Sequence, residues 1–167
     1  MHILEHGQGQ EKTLLFLPCT AEPVWAFEKT VARLAQSWHV FQVVYDGHEP
    51  SYPGDFTSVE QTVDEITDYL RAQGVTCLDA AYGCSLGGSF VGLLAASGNI
   101  RMDYGILGSS DLDQSSKFAA KLQTDLLLPL MFPMLRDGRF KSPLLQKRVE
   151  KQMRQMGDYG AAFLRIL

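Results

Sequence analysis

Residues 77–96 read Cys77-Leu78-Asp79-Ala80-Ala81-Tyr82-Gly83-Cys84-Ser85-Leu86-Gly87-Gly88-Ser89-Phe90-Val91-Gly92-Leu93-Leu94-Ala95-Ala96. The first six residues suit a buried strand, and residues 90–96 suit a helix of small and apolar side chains. Between them stands Gly-x-Ser-x-Gly at the strand-to-helix junction, the context in which that spacing carries chemical meaning. A serine held on so tight a turn adopts backbone angles that side chains at the flanking positions would obstruct. Gly83 and Gly87 remove those side chains, and Gly88 is expected to let the helix sit close to the strand. The Ser85 hydroxyl is then pushed out above the carboxyl end of the strand, and the Leu86 amide at the helix start can face a developing oxyanion. A phosphate-binding turn is disfavoured, because neither a Walker lysine nor Gly-x-Gly-x-x-Gly accompanies these glycines.

The flanking sequence alternates strand and helix. Residues 1–6 read as a short strand, and residues 13–17 as a fully apolar one stopped by Pro18. Pro23 suits a helix's first turn, and Val24, Phe27, Val31 and Leu34 follow at helical spacing. Residues 39–45 form a second buried strand, ended by Asp46-Gly47. Thr57-Ser58-Val59-Glu60 reads as a capping box in which Thr57 and Glu60 exchange bonds. Val59, Val63, Ile66 and Leu70 continue that helix to Gly74. Residues 77–82 and 104–107 supply further strands. Each connection is long enough for a crossover, so the expected fold class is α/β: a parallel sheet with helices on both faces, residues 1–113. From residue 114 the pattern is helical only, and 114–167 is expected to form a separate helical segment.

Composition narrows the function classes. The chain has 167 residues, 46% hydrophobic and 20% charged, within the range of globular proteins. A net charge of -4 gives no reason to expect a nucleic-acid partner. Residues 1–113 hold 15 acidic and 5 basic residues, whereas residues 114–167 hold 4 and 10. That asymmetry reads as two pieces packed with opposite charges at their rim. No membrane span or signal peptide is apparent, and a cytoplasmic location is expected. The three cysteines (Cys19, Cys77 and Cys84) have no metal-ligand spacing and read as free thiols. Cys84 reads as a small core residue pointing away from the mouth of the site. Neither a metal nor a cofactor is expected.

Taken in order, Phe16-Leu17-Pro18-Cys19-Thr20, Tyr45-Asp46-Gly47-His48 and Gly83–Gly88 resemble the α/β-hydrolase family over residues 14–113. The detail is similar to small, uncharacterised serine hydrolases of gut Firmicutes. The resemblance implies cleavage of an ester, amide or related acyl bond in a small-molecule substrate. Ser85 would be the nucleophile, with Leu86 and Cys19 or Thr20 as oxyanion donors. It also implies an acid and then a histidine later in the chain. All four histidines (His2, His6, His39 and His48) precede Ser85. His48 is read as structural, bonding backbone near the serine turn, and His39 as a surface residue at a strand start. Asp111 and Asp113 are candidate acids, with helix capping as their alternative.

The run 126–135, apolar and broken by Pro129 and Pro133, resembles the family's helical cap, and residues 144–156 would form a second, basic cap helix. The chain reads as the front part of a longer domain, truncated before its last strands and inactive alone. The alternative is a non-catalytic binding or scaffold module, or a homo-oligomer that pairs through an exposed sheet edge and completes its site in trans.

Overall fold

The computed structural model describes residues 1–20, 22–49, 51–110, 116, 118–119, 121–122, 124–126, 143–155 and 157. The chain divides into two compact units, Met1–Leu112 and Asp113–Leu167. The first unit is built on five strands: β1 (His2–His6), β2 (Thr13–Leu17), β3 (His39–Val44), β4 (Cys77–Cys84) and β5 (Arg101–Gly108). They lie in the order β1-β3-β2-β4-β5. β2, β3, β4 and β5 are parallel, but β1 runs antiparallel to β3, with His2 opposite Val44. The expectation of a wholly parallel sheet is corrected at this edge. The turn at residues 7–10 lets β1 lead into β2, and among the described residues β1 pairs only on its β3 side.

Alternation along the strands sorts two cores onto the two faces. Leu15, Leu17, Phe41, Val43 and Tyr45 face one way and are buried with Val63, Ile66 and Leu70 of α2 (Val59–Ala72) and Phe90 and Leu94 of α3 (Leu86–Ser97). Leu14, Phe16, Val40 and Ala80 face the other way, onto Val31 of α1 (Glu28–Leu34). The helix expected from Pro23 is in fact a 3₁₀ turn, Val24–Phe27, followed by α1. α2 is capped one residue later than expected. The Ser58 hydroxyl accepts the Gln61 amide at 3.1 Å, while the Thr57 hydroxyl donates to the Gln61 side chain at 2.6 Å. Burial chooses between the two cap candidates: a start at Val59 turns Thr62, Val63 and Ile66 onto the sheet.

The strand order reverses between β2 and β4. From β2 the chain crosses over one face through α1 to β3, then returns over the other face through α2 to β4. The loops leaving β2 and β4 therefore diverge and open a crevice at the carboxyl ends of those strands, where open α/β sheets bind ligands.

In the second unit, α4 (Pro143–Gln155) carries Lys147, Arg148, Lys151 and Arg154 on exposed positions. Lys121 and Asp125 form an exposed i,i+4 ion pair at 2.9 Å. Of the apolar run 126–135 only Leu126 is among the described residues, and Met156 is not among them. No helix among the described residues is long and apolar enough to cross a membrane.

Candidate active site

Ser85 ends the strand-to-helix turn with φ 51° and ψ -114°, a region L-residues rarely enter. Holding it there costs on the order of 1–3 kcal/mol, which the surrounding packing must supply. The supply is visible in the glycines. A Cβ on Gly83 would collide with the Gly87 carbonyl and lie 2.6 Å from the Gly88 nitrogen. A Cβ on Gly87 would strike the Leu17 carbonyl and lie 2.8 Å from the Pro18 carbonyl oxygen. Helix α3 thus begins with its backbone against both β4 and the end of β2. Gly88 lies close to β4 as expected, a Cβ there falling 3.3 Å from the Gly83 carbonyl oxygen, and it also makes room for a second neighbour, because that Cβ would overlap the Ser110 side chain.

Two further bonds tie the turn to β5. The Ser85 amide donates to the Gly108 carbonyl at 2.8 Å, and the Ser110 hydroxyl donates to the Ser85 carbonyl at 3.1 Å. The Ser85 side chain is exposed. It occupies the N-cap position of α3 without making a capping bond, which is how a serine there ordinarily spends its hydroxyl. Leu86 follows as the first residue of α3, where the helix's own ladder leaves an amide without an acceptor.

The loop after β2 lies across the crevice. Pro18 is buried, and its carbonyl accepts the hydroxyl of buried Tyr45 at 3.0 Å. Burial, then the Cys19 and Glu22 charges, push that phenol well above its ordinary range. The Cys19 amide donates to the Glu22 carboxylate at 2.8 Å, so one of the two expected oxyanion donors on this loop already has an acceptor. Thr20 is exposed. Cys84 is half-buried and Tyr82 lies beside it. Burial first, and the Cys84 sulfur second, raise the Tyr82 phenol.

The four histidines are all engaged elsewhere. His48 Nδ1 bonds the Asp46 carbonyl at 3.0 Å, and its ring packs edge-on against Tyr45 and Phe56. The ring steadies its own loop, whereas the expectation had it bonding backbone near the serine turn. His39 is half-buried, contrary to the expected surface position, with Nε2 2.7 Å from Glu5. His6 faces Gln42 at 3.1 Å, and His2 packs on Tyr52. Asp111 and Asp113 lie outside the described residues. Among the described residues, no group of three or more His, Cys, Asp or Glu side chains is placed to hold a metal. Ser110, Glu22 and Tyr45 escaped the reading of the sequence as site residues. Glu22 three residues after Cys19 was the one local signal, since that spacing lets a carboxylate return to a backbone amide.

Scanned against known families the chain matches none, and no curated protein matches it either. Solved structures do match. MenH from S. aureus superposes with a TM-score of 0.68 at 17% identity, over 98% of this chain and 64% of its own. A protein described as of the alpha/beta hydrolase family, from Desulfitobacterium hafniense, gives 0.66 at 19%, over 86% and 57%. A monoacylglycerol lipase from Paleococcus ferrophilus gives 0.59 at 20%, over 75% and 52%. The chain therefore spans between half and two-thirds of the length of these structures.

Proposed function

We propose, for a chain that carries the α/β-hydrolase fold, that it is the nucleophile-bearing part of a serine hydrolase acting on an ester, amide or related acyl bond. The observation that carries this reading is Ser85 itself: exposed, at positive φ, and not used as a cap at the start of α3. The Ser85 Oγ would attack the acyl carbon while its proton passes to a base. The oxyanion would be received by the Leu86 amide and by Thr20 or Cys19. The alcohol or amine would then leave and water would release the acyl group. Cys19 can donate only once Glu22 gives up its amide. All four histidines of these 167 residues precede Ser85 and are engaged elsewhere, so this reading takes its general base from residues outside this stretch. The unit Asp113–Leu167 is read as a helical cap, on the strength of its helical residues and basic α4.

A fluorophosphonate probe tests the assignment. It is expected to label Ser85 in a version extended through a following acid and histidine, and to label these 167 residues weakly or not at all. Loss of labelling in Ser85→Ala confirms the site. Failure to label the extended protein would overturn the reading.

A second reading is favoured by β5, whose outer edge is unpaired among the described residues and whose Tyr104, Ile106 and Leu107 are exposed. In it the fold is a binding module, or pairs with another copy that completes the site. Concentration-dependent sedimentation distinguishes the two.

A further inference from the structure

The second unit presents two kinds of surface together. The first is apolar. Residues 118–119, 121–122 and 124–126 are helical, and Phe118, Leu122 and Leu126 follow one another at steps of four. At about 3.6 residues per turn each step rotates by roughly 40°, so the three side chains share one face. That face looks outward: Phe118 is 79% exposed, Leu122 57% and Leu126 70%. Single apolar residues on a surface are commonplace, whereas a contiguous stripe of large ones marks a docking surface. Asp125 is the one acid in residues 114–126, and Lys121 is paired with it at 2.9 Å.

The second surface is cationic. On α4, Lys147, Lys151 and Arg154 follow the i, i+4, i+7 spacing of one helix face, and Arg148 flanks them. All four are exposed, and among the described residues none of them is in an ion pair. Glu150 is the one acid on α4, and its carboxylate accepts the Gln146 side-chain amide at 2.7 Å. Leu144, 83% exposed, stands one turn before Lys147 and Arg148. The excess of positive charge runs through the unit, with 10 basic residues against 4 acidic over 114–167.

Each surface alone fits several occupants, but the combination is narrower. Free cations suit any polyanion, and a duplex nucleic acid would meet them with its phosphates while leaving the Phe118–Leu122–Leu126 stripe in water. An anionic bilayer answers both. Its phosphates meet the Lys and Arg heads, and its acyl chains, roughly 5–10 Å deeper, take phenylalanine and leucine. We infer that the unit Asp113–Leu167 is a peripheral membrane-binding module. The α4 cations and the exposed apolar stripe engage the surface of an anionic phospholipid bilayer. Each cation near such a surface contributes about fivefold to partitioning, and added salt screens that gain.

The test uses the chain as it stands and measures no hydrolysis, so its outcome is separate from that of the serine-hydrolase reading. Purified protein is co-sedimented with vesicles of phosphatidylcholine alone, or of phosphatidylcholine mixed with phosphatidylglycerol. Partitioning onto the mixed vesicles is expected, with little onto phosphatidylcholine alone and a steep fall as salt is raised. Lys147→Gln combined with Lys151→Gln should lower partitioning by more than about tenfold, and Lys147→Arg with Lys151→Arg should retain it. Phe118→Ser with Leu122→Ser should weaken it while every cation stays in place. All of these positions are exposed, and unchanged circular dichroism confirms that the variants fold. The inference is overturned by absence of partitioning onto the mixed vesicles, or by equal partitioning onto both kinds. Binding indifferent to Phe118 and Leu122, or tighter to a DNA duplex than to the mixed vesicles at the same salt, would also overturn it.

Discussion

The Ser110 hydroxyl lies 3.1 Å from the carbonyl oxygens of both Ser85 and Gly108 and shares its single hydrogen between them, so one side chain beyond β5 joins the serine turn to the end of that strand. Ser110→Ala removes that shared bond and no backbone contact. It is expected to lower stability by about 1 kcal/mol, the usual net contribution of such a bond, with the slope of urea unfolding unchanged.

Gly83 and Gly88 are expected to respond oppositely to rescue. Gly83→Ala places a methyl into the Gly87 backbone, which cannot step aside. A loss above about 3 kcal/mol, or no soluble protein, is expected. Gly88→Ala meets a side chain, that of Ser110, and gains helix propensity in α3. Combined with Ser110→Gly it should recover most of the loss. A double-mutant cycle in thermal or chemical unfolding reads that coupling directly.

Phe90 binds the serine-bearing helix to the core. It is fully buried, stacked on Tyr45 with centroids 4.9 Å apart, and Phe56 covers it edge-on. Phe90→Ala is expected to cost about 3–5 kcal/mol. Because Tyr45 anchors Pro18, the same variant should also speed hydrogen exchange in the loop after β2.

The Glu5 carboxylate accepts the Tyr69 hydroxyl at 2.6 Å and lies 2.7 Å from His39 Nε2. The Tyr69 bond, opposed by burial and aided by His39, holds Glu5 below its ordinary value of 4.5. Its stabilising effect is therefore full above that value and is lost as the pH falls through the lowered folded-state pKa. The bond to Glu5, then burial, pushes the Tyr69 phenol from 10.0 up to about 12. That contribution is full below 10.0 and is lost as the pH rises through about 12. Glu5→Gln should flatten the acid limb of the stability profile. It should also bring one tyrosine's absorbance titration back toward the ordinary phenol range.

What the sequence discloses here is mostly short-range sterics. The Gly83–Gly88 spacing is readable because the clash that Gly83 avoids is with Gly87, four residues away. β2 is readable at both ends because Pro18 stops an unbroken apolar run, and the structure gives Thr13–Leu17. The direction of β1 is not readable, since strand polarity is decided by pairing with β3, some forty residues on. Thr57 and Ser58 are chemically equivalent caps, and only the sheet beneath α2 separates them. Ser110 looks like plain loop until Gly88 is found beneath it.

β5 has a consequence for handling the protein. Its first half carries Arg101 and Asp103, whose charges discourage a stray strand from docking. Residues 104–108 carry no charge, and Tyr104 is 72% exposed. Residues 104–108 are therefore the edge stretch, among the described residues, at which self-association is expected at high concentration. A lysine written into that stretch, at Ile106 for instance, should delay turbidity while leaving the interior untouched.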